Sequence, residues 1–191
     1  MRIAGKIDLV RLWVILMVCA APLTAQAAGE RQPLELALDY SYVRSNAPPG
    51  DCGCFNLNGG SAGVAFPLGA RGLALVGDIT ATGGNAASRH DLTLSAYTAG
   101  VRYRLPLSST FLHPYGQVLI GLAHAGGNLV QGASNSGAAF AANVGGGVDV
   151  SVSRRLWVRV FEADYLVTTF DNGVNDHQNN LRVSAGIIVR F

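Results

Sequence analysis

Beyond Lys6 the sequence contains no lysine. Charged residues make up 14% of its 191 positions, against about 25% in an average soluble chain. Setting aside residues 1–27 removes Arg2, Lys6, Arg11 and Asp8, and leaves 11 basic and 11 acidic side chains in 164 residues. A neutral, lysine-free chain has no electrostatic footprint for nucleic acid. Low charge does not mean disorder here, because 49% of the residues are hydrophobic and disorder needs few apolar residues. The excess of Ala, Glu, Lys, Leu and Arg that marks coiled coils and helical bundles is missing. Long apolar runs are missing too. Residues 12–23 form a stretch of twelve, about 18 Å as a helix against a hydrocarbon core of about 30 Å. Glycine, by contrast, is abundant at 24 residues, about twice the usual share.

The N-terminus has the three parts of a secretory leader. A basic segment precedes the apolar stretch, which ends on Ala25-Gln26-Ala27. Residues 1–27 are therefore expected to be a cleaved signal peptide. Cys19 follows the bulky Val18 and is read as part of that leader, not as a lipoprotein site. What remains is exported into an oxidising compartment.

The exported part is patterned with period two, the signature of strands with one apolar and one polar face. Leu34, Leu36, Leu38, Tyr40 and Tyr42 alternate with Glu35, Ala37, Asp39 and Ser41. Leu73, Leu75 and Ile79 oppose Asp78, Thr80 and Thr82. Tyr97 to Tyr103 oppose Thr98 to Arg104, and Val118, Ile120 and Leu122 oppose Gln117 and Gly121. Phe140 to Val150 oppose Asn143 to Asp149, and Leu181 to Phe191 oppose Arg182 to Arg190. Two further strands are less clean. Residues 57–67 carry Ala62, Val64 and Phe66 on one parity. Residues 156–169 group Trp157, Phe161, Ala163, Tyr165 and Val167 opposite Glu162 and Asp164. Arg159 falls on that apolar parity, where lipid exposure at mid-depth would cost about 2–4 kcal/mol. Either a bulge between Arg159 and Glu162 turns it inward, or it snorkels near the headgroups.

Eight strands are thus expected. Short turns follow the second, fourth and sixth. Longer polar connections, at 45–56, 83–90, 125–137 and 170–179, follow the first, third, fifth and seventh. This is the layout of an up-and-down meander. The polar parity is mostly glycine, small residues and pairable charges, which suit the narrow interior of an eight-stranded barrel. The wide Leu, Val, Tyr and Phe side chains suit lipid. A sheet in hydrocarbon must close, since open edges are not tolerated there. The expected fold is all-β: an eight-stranded antiparallel transmembrane barrel over residues 33–191.

The chain ends Ser184-Ala185-Gly186-Ile187-Ile188-Val189-Arg190-Phe191. Ser184, Gly186, Val189 and Phe191 resemble the terminal assembly signal of bacterial outer-membrane proteins. With the strand count, the exported chain resembles the small eight-stranded outer-membrane barrels, such as the OmpA transmembrane domain and OmpX. Asp164-Tyr165 looks like the acidic-aromatic pair such barrels carry near the lumen. The resemblance implies a bacterial outer-membrane location, outer-membrane lipid as surroundings and the barrel-assembly machinery as a partner in biogenesis. It names no extracellular partner.

The candidate lumen network is Glu35, Asp39, Asp78, Asp149, Glu162 and Asp164 facing Arg102, Arg104 and Arg182, with Arg190 near the rim. Charges confined in a narrow lumen must pair or hold water. They form a structural plug, or line a narrow gated path. Acid–base catalysis is a third use of paired carboxylates, but no nucleophile accompanies them. None of His90, His113, His124 and His177 stands in a His-x-Ser pair, and no Gly-x-Ser-x-Gly elbow is present. No catalytic residue, metal or cofactor is expected. Gly145-Gly146-Gly147 is not a dinucleotide fingerprint and fits close packing in a strand. Asp171, Asn172, Asn175 and Asp176 lack calcium-loop spacing. Cys52-Gly53-Cys54 is a candidate loop disulfide, or half of a soft-metal site. The leading function is an integral structural barrel with at most a narrow gated channel. The alternative is a surface adhesion or ligand-binding barrel acting through its outer loops. A lipid-modifying enzyme comes third.

Overall fold

The computed structural model describes residues 33–45, 55–69, 72–86, 89–108, 111–126, 137–170 and 177–191. The leader at 1–27, Cys52, Cys54, Asp171, Asn172, Asn175 and Asp176 lie outside the described residues. The strands in chain order are β1 (Glu35–Ser45), β2 (Phe55–Pro67), β3 (Leu73–Ala86), β4 (Arg89–Arg104), β5 (Leu112–Gly126), β6 (Gly137–Ser151), β7 (Leu156–Thr168) and β8 (Gln178–Arg190). Each pairs antiparallel with the next, and β1 closes on β8 from Glu35↔Arg190 to Ser45↔Asn180. Closure gives the backbone of every strand two partners, which hydrocarbon requires. Among the described residues no helix is long and apolar enough to cross a membrane.

The period-two pattern sets the facing. On β1 the buried and exposed residues alternate over the whole strand. Leu38, Tyr40, Ile79 and Ile120 are more than half exposed on the outer face, while Asp39, Asp78 and Arg182 are buried inside. The β2–β3 turn is tight because Gly69 and Gly72 take φ of 68° and 77°, a region that side chains disfavour. It is closed by the Leu68 amide donating to the Leu73 carbonyl at 2.8 Å.

Two expectations change. The connection expected at 83–90 is largely strand: β3 runs to Ala86 and β4 starts at Arg89, with a register shift after Gly84. Glycine and asparagine composition read as loop, yet small residues let the ladder continue. The second change is in β7. Val148 pairs with Phe161 and Asp149 with Arg159, so Val160 is an extra residue, a bulge. Val160 and Phe161 both face outward, while Trp157 and Arg159 are 6% and 2% exposed. Trp157 was expected on the outer face with Phe161. The bulge reverses it, and of the two alternatives for Arg159 it selects the inward one.

Candidate functional site

The lumen has three layers. At the short-turn end, Arg104 of β4 donates to both carboxylate oxygens of Glu35 at 3.0 Å. This is the bidentate geometry in which guanidinium–carboxylate pairs are strongest. Arg104 also reaches Asp149 at 3.3 Å, and Arg190 lies 3.1 Å from Glu35. Trp157 sits among these cations. The Arg190 guanidinium is 4.0 Å from its ring centre and that of Arg104 is 5.0 Å away. The His113 ring stacks on it at 4.1 Å, with the planes 10° apart.

The middle layer turns on Arg182 and Glu162. Arg182 of β8 donates to Asp78 of β3 at 2.6 Å, to Glu162 of β7 at 2.7 Å and to Asp164 of β7 at 2.6 Å. It also donates to the Thr80 hydroxyl. Glu162 in turn faces Arg159 at 3.1 Å and Arg102 at 3.5 Å and accepts from the Tyr115 hydroxyl. Arg102 donates twice to Gln117, which donates to Asp164. Arg159 donates to Asp39 at 2.8 Å and Asp149 at 3.2 Å. Every carboxylate of the expected network therefore meets a guanidinium, which offsets much of the cost of taking both from water.

Glycines make room for this layer. A Cβ on Gly145 would strike Asp164, and one on Gly186 would strike Asp39. Among the charges, the Ser41 hydroxyl bonds those of Ser61 and Ser184 at 2.9 and 3.2 Å. The third layer, toward the longer connections, is apolar: Val43, Leu57, Leu92, Leu94, Leu166 and Phe170 pack with small alanines. Period two placed charges and small residues inside but did not anticipate this apolar layer. Its signal was present in Leu92 and Leu94, which share the parity of Thr98 and Arg102.

Two interior spaces beside Glu35 and Arg102 measure about 10 Å³ each, room for a single water at most. Among the described residues, no three His, Cys, Asp or Glu side chains converge on a metal position. His90 lies on β4, His124 faces outward against Tyr97, and His177 is exposed before β8.

The C-terminal residues divide by face. Ser184 and Gly186 look into the lumen. Val189 pairs with Leu36 and Leu156, and the amide of exposed Phe191 donates to the Leu34 carbonyl at 2.9 Å. Asp164 faces in and Tyr165 faces out.

A family model for the outer membrane protein beta-barrel domain matches residues 13–188. The chain belongs to that family. It is a bacterial outer-membrane β-barrel protein. Neisserial surface protein A is similar in structure, with a TM-score of 0.65 at 18% identity over 83% of this chain and 97% of its own. Ail, the attachment invasion locus protein of Yersinia pestis, has a TM-score of 0.55 at 15% identity, over 85% of this chain and all of its own. A second structure of Ail, in complex with the heparin analogue sucrose octasulfate, gives 0.57 at 16% identity over the same shares, 85% and 100%. At these identities the likeness is one of fold. No curated protein sequence matches the chain.

Proposed function

We propose that this family member is a structural barrel whose lumen is sealed by its own side chains. The observation that carries the reading is Arg182, 1% exposed and held by Asp78, Glu162 and Asp164. A guanidinium fixed by three carboxylates from two other strands leaves no path at mid-depth. The apolar layer around Leu57 and Leu94 closes the outer end independently. The same arrangement supports a non-enzymatic role, since each carboxylate is committed to an arginine rather than presented to a substrate.

Export through the leader at 1–27 and insertion by the barrel-assembly machinery through Ser184, Gly186, Val189 and Phe191 complete the proposal. A Cys52–Cys54 disulfide stiffens the first outer connection. The test is single-channel recording of the refolded protein in a planar bilayer. Wild type is expected to show no steady conductance steps. Steady steps would favour the narrow-channel form of the same barrel. A second reading, surface binding through the polar connections at 46–54, 127–136 and 171–176, is checked by shortening them and measuring cell-surface attachment.

A further inference from the structure

On the outer face, β1, β2 and β3 enclose an open groove of about 480 Å³. Its walls are Leu38 and Ile79, 61% and 53% exposed. Its floor is Gly60, Ala62 and Ala81. The register sets these small residues side by side: Gly60 opposes Ala81, and Ala62 lies between Leu38 and Ile79. Nothing inside the barrel demands the glycine. A Cβ on Gly60 would meet only the Asp39 carbonyl, at 3.4 Å, unlike Gly145 and Gly186, which give way to lumen carboxylates. The missing side chain at position 60 shapes the outer surface alone.

Beyond the groove, toward the longer connections, the outer face turns polar. The Tyr40 hydroxyl donates to Asn58 and the Tyr42 hydroxyl to Asn56, both at 2.7 Å. Arg44 is exposed beside them, opposite Asn56. It lies six residues beyond Leu38, about 20 Å along the strand and about 15 Å along the membrane normal at the usual tilt. A groove near mid-bilayer therefore puts Arg44 at the headgroup level of the outer leaflet, since half the hydrocarbon core is about 15 Å. No carboxylate faces Arg44 among the described residues.

We propose that this groove is a lipid site. It takes one acyl chain of a phosphate-bearing outer-leaflet lipid, and Arg44 meets the phosphate. The occupant follows from charge and surroundings. The groove opens into hydrocarbon, so an apolar chain fits it. The exposed cation further along β1, within the reach of a lipid whose chain lies in the groove, selects an anion. A second copy of this barrel is a poor match, because Glu35, Asp39, Asp78, Asp149, Glu162 and Asp164 all face inward. Among residues whose side chains are described, a copy has no outward carboxylate to offer Arg44.

The test uses refolded full-length protein in detergent, incubated separately with lipid A, dephosphorylated lipid A and phosphatidylethanolamine, and read by native mass spectrometry. Wild type is expected to retain one lipid A. Ala81→Leu fills the floor and should lower retention of lipid A and dephosphorylated lipid A alike, several-fold. Arg44→Gln should remove the preference for the phosphorylated form and leave the dephosphorylated form unchanged. Heat-modifiable gel mobility verifies that both variants fold. Should Ala81→Leu misfold, Gly60→Ser narrows the groove less severely and should weaken retention in the same direction. Equal retention by wild type and both folded variants overturns the proposal. So does equal retention of lipid A and dephosphorylated lipid A by wild type, or a wild-type dimer that Ala81→Leu dissolves.

Discussion

Arg159 of β7 reaches past β8 to Asp39 of β1 and meets it at 2.8 Å, although 120 residues separate them in the chain. The same guanidinium holds Asp149 of β6 and Glu162 of its own strand. One side chain thus ties three strands together. It reaches them because β7 absorbs Val160 as a bulge, which keeps that extra residue from turning Arg159 outward.

Deleting Val160 should therefore be tolerated better than losing Arg159. With Val160 gone, Arg159 and Glu162 keep their inward facing and the ladder to β6 and β8 becomes regular. Arg159→Ala leaves Asp39 buried without a cation, a loss of about 3–5 kcal/mol. Urea unfolding in lipid vesicles ranks the two. A deletion more damaging than Arg159→Ala would contradict the bulge argument.

Arg182→Ala is expected to destabilise the barrel by a similar amount, about 3–5 kcal/mol, because three carboxylates lose their shared partner. It should also raise conductance. A water-filled lumen would screen the loss toward the 0–1 kcal/mol, roughly, of exposed pairs. Stability and conductance measured together distinguish a seal from a lined path.

On the outer face, Leu38, Val101 and Val183 each point to lipid. Arginine at any of them that lies at mid-depth should cost about 2–4 kcal/mol. Unfolding free energies unchanged at all three would mean that the faces are reversed.

Removing Phe191 should slow insertion and leave barrel in the periplasm. Its exposed ring and single backbone bond to Leu34 contribute little to the folded barrel, so purified protein lacking it should keep near-normal stability. Fractionation and unfolding therefore separate an assembly role from a structural one.

The strand count, the closure and the facing of six clean strands were legible because period two survives in them without interruption. Asp78, Asp149, Glu162, Asp164 and Arg182 could be placed inside from parity alone. Parity misplaces Trp157 outward and leaves Arg159 two alternatives, since a bulge shifts parity by one and leaves no compositional mark between two apolar residues. Tyr115 shares the inward parity of Gln117, but parity does not reveal that its hydroxyl serves Glu162. Parity tells in from out, but it does not tell which carboxylate an arginine will choose across the lumen.

The two carboxylates of β1 also bear on the order of assembly. Glu35 finds its cations on β4 and β8, and Asp39 finds its cation on β7. The described side chains of β2, the neighbour that follows β1 in the chain, include no charge for them. No hairpin sets β1 beside the strands that carry these cations; they meet the two acids across the lumen or, for Arg190, across the seam. Rolling the sheet into a ring is what brings them together, so electrostatics favours the finished ring over an open sheet with the same hairpins. A sheet zipped out of register would strand those acids, and the fold thereby proofreads its own closure.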